Sequence, residues 1–312
     1  MSDLNHYAIS AILHSEIVGP VKAGHGQIAS LGDAQKYFDV LAANERPAGT
    51  GRRQRGDINV DGLKRAFVAA RDTFKDRGST DLYIADPNRN AVFLALCRRF
   101  GIEASDYRIN KTLFNARKNK LLSNLKSKRT SIEYGEFAFA SEFAATQLRY
   151  KIGASIDDIL CDPALASQFD AIAQHVTPGF SSFEYRWAIL NIRKAGRHQR
   201  LPTSFKLPKF TTGFRLLRDP IGQIPGQSGI YLLYERQKLL YTRSAVDLRH
   251  GVELHRNLNI LKAINERLWR PDPGNFIVDF TTVNRPMSFL QAIERKLVEE
   301  RHPVFNIPRS AA

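Results

Sequence analysis

The chain has 312 residues, which is enough for two or three compact domains, each with its own hydrophobic core. Its hydrophobic fraction of 43% and charged fraction of 25% are ordinary for a globular protein, and no apolar run approaches the length of a membrane span. The formal net charge of +15 is unusual. It favours a polyanionic partner, for which nucleic acid and an anionic membrane surface are the usual candidates.

The termini and cysteines indicate a compartment. The N-terminus lacks the basic-then-apolar pattern of a signal peptide. The two cysteines, Cys97 and Cys161, occur singly in helical patterns without the spacing of a metal site, and are most simply reduced thiols of a core. We therefore expect a cytoplasmic protein with no membrane partner, associated with the nucleoid if the source is bacterial.

The first hundred residues give the weakest patterns. Residues 33–43 and 61–76 place apolar side chains at helical spacing, and residues 81–85 predict a short strand. Between the two helices, residues 47–56 are rich in glycine and arginine. This segment is interpreted as a solvated loop, with an arm that contacts phosphates as the alternative.

Residues 90–129 approximate a helix-turn-helix. A helix over 90–100 and a longer basic helix that begins at Asp106 flank Gly101, which permits a tight turn. The predicted DNA-binding residues of the second helix are Arg108, Asn110, Lys111, Arg117, Lys118 and Lys120. The first two would reach base edges, whereas the lysines further along would contact phosphates. A run of charge is also typical of a solvated helix face.

Residues 131–195 predict a small helical unit. Its amphipathic segments are 136–150, 163–175 and 183–193. Tyr185 and Trp187 fit a core role better than stacking on nucleobases. The stretch 193–215 is basic and contains no acid, so residues 196–224 are interpreted as a linker that could follow the backbone of a duplex.

The last third of the chain begins with a hairpin pattern. Two short apolar runs, 229–235 and 238–242, flank a tight turn at Arg236 and Gln237, which predicts a pair of strands. A helix should follow, with Ser244 or Asp247 as its cap.

The final helix, which begins near Ser288, has Glu294 on its apolar face. A carboxylate among apolar groups is costly unless it binds a metal, pairs with a cation or accepts hydrogen bonds. The pattern therefore leaves two interpretations open, a structural ion pair with a nearby arginine and a functional carboxylate.

Taken together, these motifs resemble the GIY-YIG nuclease domain over about residues 226–308. In order they are Gly229-Ile-Tyr231, Tyr241-Thr-Arg243, Asp247-Leu-Arg249, His255, Glu294, and Pro303 with Phe305 and Asn306. No one of them is specific, but their order and spacing together indicate the family. The family includes phage homing endonucleases, some restriction endonucleases and the incision subunit of nucleotide-excision repair.

The resemblance implies a role for each matching residue. Tyr231 would orient or deprotonate the attacking water, and Tyr241 would lie near the scissile phosphate. Glu294 would be the single metal-binding carboxylate, for Mg²⁺ or Mn²⁺. His255 matches a histidine seen in some members, and Asn306 matches the asparagine that often closes the domain.

Two positions depart from the family pattern. The glycine of the YIG motif is Arg243 here, and the arginine that usually clamps the phosphate falls on Gly251. Removing a cation aimed at developing charge typically costs orders of magnitude in rate. Either Arg243 or Arg249 could supply that charge from another backbone position. Alternatively, the site could be degenerate and retained for binding only.

The sequence thus predicts an α+β protein. A mainly helical region over 1–195 precedes the basic linker and a C-terminal domain over 225–312, which has a three-stranded sheet flanked by helices. The predicted function is a metal-dependent endonuclease acting on double-stranded DNA in a defence, restriction or mobile-element setting. The alternatives are a non-catalytic DNA-binding or regulatory protein with a degenerate nuclease domain, and an RNA-directed nuclease, because charge does not distinguish the two polymers.

Overall fold

A computed structural model describes residues 58–116, 122, 125–128, 130–195, 199, 201–268 and 275–307. The predicted helix over 33–43 and the glycine- and arginine-rich loop over 47–56 lie outside the described residues. The described elements in chain order are α1 (Val60–Thr73), α2 (Thr80–Ala85), α3 (Pro87–Arg99), α4 (Asp106–Ala116), α5 (Ala138–Ile152), α6 (Ile156–Cys161), α7 (Pro163–Val176), α8 (Ser182–Lys194), β1 (Thr211–Arg215), β2 (Gly229–Glu235), β3 (Lys238–Ala245), α9 (Leu248–Glu253), α10 (Leu258–Leu268), β4 (Phe276–Thr282) and α11 (Met287–Arg301).

The predicted strand over 81–85 is wrong, because these residues belong to helix α2. The Ser79 side chain accepts a hydrogen bond from the Leu82 backbone N–H and so caps the helix. All six residues of α2 are buried, and an apolar run buried on every side has no periodicity that separates a helix from a strand. In the sequence, Ser79 at the N-cap position is the feature that favours a helix over a strand here.

Helix α5 lies at the centre of the helical part. It packs against α7 and α8, and its residues from Ala138 to Ala145 are all buried. Capping boxes fix the starts of α6 and α8, where Ser155 pairs with Asp158 and Ser181 with Glu184. The predicted core role of Tyr185 and Trp187 is confirmed, since both are buried in α8.

The sheet has four antiparallel strands in the order β1-β4-β2-β3. The predicted hairpin is confirmed as β2 and β3, with Arg236 at a positive φ in the turn. The fourth strand, β1, pairs with β4 and comes from within the range 196–224 that was interpreted as a linker. The sheet therefore has four strands, one more than predicted. The basic composition of this range does not prevent β1 from pairing at the edge of the sheet.

Strand β2 is buried on both of its faces, which places it at the centre of the C-terminal part. On one face, Ile230 and Leu232 form a cluster with apolar residues of α11. On the other face, Tyr231 and Leu233 belong to the large core that also contains residues of α5, α7 and α8. All described residues lie in one compact unit, Asp57–Ala312, and this core crosses the predicted boundary between the helical region and the C-terminal domain.

The two cysteines are free and buried, in agreement with the core role expected for them. Burial raises the pKa of each thiol to about 12, so both stay protonated at neutral pH. Among the described helices, none has the length and apolar character that crossing a bilayer requires.

Candidate functional site

Tyr231 lies at the middle of β2, opposite Arg243 of β3. Its hydroxyl is 3.0 Å from Nε2 of His255, and its side chain is almost wholly buried. Burial raises the Tyr231 pKa, which more than offsets the lowering by the nearby Arg243 charge. The phenol is therefore neutral at physiological pH and has a hydrogen-bond partner already in place.

His255 lies on a short 3₁₀ turn after α9, with 1% of its surface exposed. Burial, and secondarily the Arg243 charge, lower its pKa to about 3, so the imidazole is neutral at physiological pH. Nε2 faces the Tyr231 hydroxyl, while Nδ1 has no hydrogen-bond partner among the described residues. A neutral imidazole can share a hydrogen bond with a phenol, although burial makes this one a weak base.

Glu294 is buried on α11, as its place on the apolar face predicted. Its Oε2 accepts hydrogen bonds from the backbone N–H and the hydroxyl of Ser244, and the N–H distance is 2.8 Å. Its Oε1 is 3.9 Å from a guanidinium nitrogen of Arg243. Both interpretations of Glu294 therefore stay open. The ion pair with Arg243 agrees with a structural role, and the position next to predicted catalytic residues agrees with a functional one.

Of the two arginines that could replace the missing phosphate clamp, only Arg243 enters this cluster. Its guanidinium lies between two carboxylates and over the ring of Tyr134, at 5.3 Å from the ring centre. Burial opposes its charge, but the neighbouring Tyr241 and carboxylates hold the Arg243 pKa well above its usual value. Arg249 instead donates a hydrogen bond to the carbonyl of Ile224.

Gly251 has a steric reason to be glycine. A Cβ built at this position would lie 3.1 Å from Cβ of Ala245 and 3.2 Å from the ring of Tyr231. An arginine here would press on the tyrosine that the candidate site depends on. The departure at Gly251 is therefore a feature of the packing around Tyr231.

Glu142 of α5 is the residue of this cluster that the sequence interpretation missed. It is completely buried, and Tyr241 donates its hydroxyl hydrogen to Oε2 over 2.8 Å. Arg243 lies 3.4 Å from the same oxygen. A signal was present, because Glu142 interrupts the apolar run from Phe137 to Ala145 in the way that Glu294 interrupts its own helix.

Asn306 joins the end of the chain to the same cluster. Its Oδ1 accepts from the backbone N–H of Thr242 at 2.8 Å, and its Nδ2 donates to the Thr242 carbonyl and to Glu142. The predicted cap Asp247 is confirmed, since its side chain accepts from the His250 N–H. Ser244 lies instead on β3 and holds Glu294.

A small cavity lies against these residues. It is lined by Tyr231, Tyr241, Arg243 and His255, by buried residues of α5 and α10, and by Gly135 and Glu136. The last two are exposed and lie in the connection that leads into α5. This connection is therefore the side of the cavity nearest to solvent.

The resemblance assigns a divalent cation to Glu294, whose Oε2 accepts from Ser244 and whose Oε1 faces Arg243. Mg²⁺ keeps several waters and is commonly held by one or two carboxylates together with substrate phosphates, so it does not need a dense ligand cluster. Among the described residues, no group of three or more histidine, cysteine or acidic side chains is placed to hold a metal. The two carboxylates and one guanidinium give a formal charge of −1, which a divalent cation would turn to +1, the sign that suits a phosphodiester.

The predicted DNA-binding residues lie in different structural settings. Asn110 is wholly buried and bonds to Asn90 and to the Cys161 carbonyl, so its prediction as a base-reading residue is wrong. Lys111 lies within 4 Å of both Asp157 and Asp158. Arg108 is exposed on α4, while Arg117, Lys118 and Lys120 lie outside the described residues. Gly101 has φ +76°, in agreement with the predicted turn.

No protein-family model, curated protein or solved structure matches this chain. The resemblance to GIY-YIG nucleases therefore rests on the sequence motifs of the last third of the chain.

Proposed function

We propose that this chain is a metal-dependent endonuclease of the GIY-YIG type that hydrolyses phosphodiester bonds of nucleic acid, with double-stranded DNA as the expected substrate. One observation supports it above the others. Six of the seven predicted catalytic residues, which come from β2, β3, a 3₁₀ turn, α11 and the C-terminal segment, meet in one place: Tyr231, Tyr241, Arg243, His255, Glu294 and Asn306.

The neutral pair of Tyr231 and His255 suits the orientation of water. The Tyr231 oxygen would orient the attacking water, and Nε2 of His255, which lies 3.0 Å from that oxygen, would hold the hydroxyl in place. Burial keeps the imidazole neutral and also makes it a weak base, so His255 has a positioning role here and does not take the proton of Tyr231.

The opposite side of the cluster suits the stabilisation of negative charge. Arg243 provides a guanidinium that stays protonated, and Glu294 would hold the cation, which when bound supplies Lewis-acid stabilisation of the phosphate. The substrate would approach past Gly135 and Glu136, where the cavity meets exposed chain. That connection has to move for a duplex to reach the buried tyrosines.

A second candidate, a non-catalytic nucleic-acid-binding or regulatory protein, is favoured by the burial of the site. Tyr231, Tyr241, His255, Glu294 and Asn306 are each at most 4% exposed. The clamp arginine of the family is replaced, and Arg243 already lies between two carboxylates. A domain that kept its packing and lost its reaction would have these features.

Cleavage of supercoiled plasmid with Mg²⁺ or Mn²⁺ separates the two candidates. The wild type should nick the plasmid, Glu294→Gln should abolish nicking while binding persists, and Tyr231→Phe should slow it about 10²–10⁴-fold. Arg243→Ala should slow it about 10²–10³-fold. Glu299→Gln, a half-exposed acid on the same helix, is the matched control and should behave as wild type.

Two results would contradict the nuclease proposal. A wild type that is inert with every metal would favour the non-catalytic candidate, and nicking that survives Glu294→Gln would remove the metal assignment. A parallel incubation with single- and double-stranded RNA tests the third alternative, since backbone charge alone does not select DNA.

The nucleic-acid partner itself is tested by salt. With a net charge of +15, the logarithm of the binding constant for a DNA duplex should fall steeply and linearly with the logarithm of salt concentration. Charge reversal of Lys118 and Lys120 should weaken binding. Lys64→Glu on α1, outside the predicted DNA-binding residues, is the control and should weaken binding less. A binding constant that stays flat from low to physiological salt would contradict a nucleic-acid partner.

A further inference from the structure

We infer that a surface of the helical part, outside the candidate site, binds the phosphate backbone of nucleic acid. This surface, the basic patch, consists of Lys75, Arg77, Lys126 and Lys128. The inference rests on the proposed function for the identity of the partner. It adds a place where the substrate is held without any reading of its sequence.

The basic patch joins two stretches of chain that are far apart in sequence. The Lys128 backbone N–H donates to the carbonyl of Arg77 over 2.8 Å. The Arg71 guanidinium donates to the carbonyl of Lys126 over 2.7 Å. Arg71 belongs to the last turn of α1 and is buried, so it ties the second stretch to the helical core. The two stretches are therefore adjacent in the fold.

The second stretch is also anchored by apolar packing. Leu122 and Leu125 pack against the hydrophobic core, and the Leu125 backbone N–H donates to the Leu122 carbonyl over 3.0 Å. The three residues that follow, Lys126 to Lys128, are exposed. A backbone that is already fixed loses little conformational entropy when its side chains bind a ligand. The packing therefore presents the basic side chains to solvent on a preorganised backbone.

The charges of the basic patch are not compensated by the protein. All four side chains are exposed, and none forms an ion pair with another described residue. Asp76 lies between Lys75 and Arg77 in sequence, but its carboxylate is engaged by Arg89. Asp72, the exposed acid at the end of α1, pairs with none of the four. Like charges on adjacent stretches repel, so a positive potential persists here that a polyanion would relieve.

The side-chain types of the basic patch favour nucleic acid over other anionic partners. Residues 75–77 and 126–128 are lysine, arginine, aspartate and serine, with no apolar or aromatic side chain. Basic surfaces that lie on membranes usually add apolar or aromatic side chains that enter the lipid, and protein interfaces have an apolar core. Lysine and arginine without such neighbours are typical of contacts with phosphates.

The test measures the binding of a DNA duplex to the full chain by fluorescence anisotropy at several salt concentrations. Each phosphate contact contributes about 0.9 to the slope of the logarithm of the binding constant against the logarithm of salt concentration. Two double variants, Lys75→Gln with Arg77→Gln and Lys126→Gln with Lys128→Gln, should each reduce the magnitude of this slope by about 2. The loss should be equal on two duplexes of unrelated sequence.

The matched control is the double variant Arg236→Gln with Lys238→Gln. Both residues are exposed at the hairpin turn between β2 and β3, and their replacement removes the same net charge. The control should keep the slope of the wild type. Because every substituted side chain is exposed, all three double variants should fold, which circular dichroism checks before each titration.

The outcomes separate the basic patch from the proposed nuclease. A slope that stays unchanged in both patch variants, or that falls equally in the control, overturns the basic patch whether or not the wild type nicks plasmid. If the slope falls as expected and the wild type is inert with every metal, the basic patch stands and the nuclease is overturned. If both patch variants lose binding to phosphatidylserine vesicles and keep duplex binding, the surface is a membrane contact and the inference is wrong.

Discussion

At the scale of single residues, His255 should make the protein sensitive to acid. Burial lowers its folded-state pKa to about 3, whereas the unfolded chain has the ordinary value of about 6.5. Between these values the unfolded state binds a proton that the folded state does not bind, so the free energy of unfolding must fall as the pH falls. The contribution is fully present above about pH 6.5 and is lost progressively towards pH 3, by up to about 1.4 kcal/mol per pH unit.

The measurement is urea unfolding at several values between pH 4 and 7. His255→Gln should lower stability at pH 7 and flatten the dependence on pH, since glutamine does not titrate. His250→Gln is the matched control, because the His250 side chain is exposed and solvated whether the chain is folded or not. Equal slopes for His255→Gln and the wild type would show that the imidazole is not buried in a neutral state.

Glu294 and Glu142 show how far single residues could be predicted. Glu294 was found because its neighbours at helical spacing are apolar, and its burial followed from that pattern alone. Glu142 has the same pattern in α5, but its partners are 99 and 164 residues away along the chain. The burial of a residue can be predicted from its near neighbours in sequence, whereas the identity of its partner elsewhere in the fold cannot.

At the scale of elements, two glycines decide how closely β2 and α9 approach their neighbours. A Cβ on Gly229 would lie 2.1 Å from the backbone oxygen of Thr281 and 2.6 Å from Leu248. A Cβ on Gly251 would meet only side chains, at 3.1 and 3.2 Å. Gly229→Ala must therefore displace the backbone of β4, and its cost should reach or exceed the about 1–3 kcal/mol typical of overpacking.

Gly251→Ala should behave differently and serves as the comparison. Alanine gains about 1 kcal/mol over glycine in a helix, and the close contact with the Tyr231 ring should offset most of that gain. Urea unfolding of both variants measures the difference. A Gly229→Ala protein as stable as the wild type would contradict the close approach of β2 to β4.

The elements that the sequence predicted well are those with strong local signals. The hairpin has a tight turn between two apolar runs, and α1 has a clear amphipathic period with Asn59 as its cap. Strand β1 was missed because its burial pattern shows one buried residue in five, so it has no alternation to detect. Its place in the sheet is given by β4, which lies far away in sequence.

At the scale of the whole molecule, the helical part and the sheet share packing that neither would keep alone. The face of the sheet that contains Tyr231 and Leu233 belongs to the same core as α5. The composition of residues 193–215 suggested a linker, because basic residues and prolines are common in linkers. Amino-acid composition indicates how strongly a segment interacts with water. It does not indicate which surfaces the segments on either side of it pack against.

This shared core makes a prediction about truncated chains. A fragment of residues 225–312 lacks β1 and α5, and a fragment of residues 201–312 regains β1 but still lacks α5. Without α5, the rings of Tyr241, His255 and Phe305 lose their contacts with Phe139, and the buried Arg243 loses Glu142. Neither fragment should unfold cooperatively in urea, whereas residues 57–312 should. If residues 201–312 unfold in one sharp transition at the midpoint of the longer chain, the helical part is a separable domain and α5 does not help to build the site.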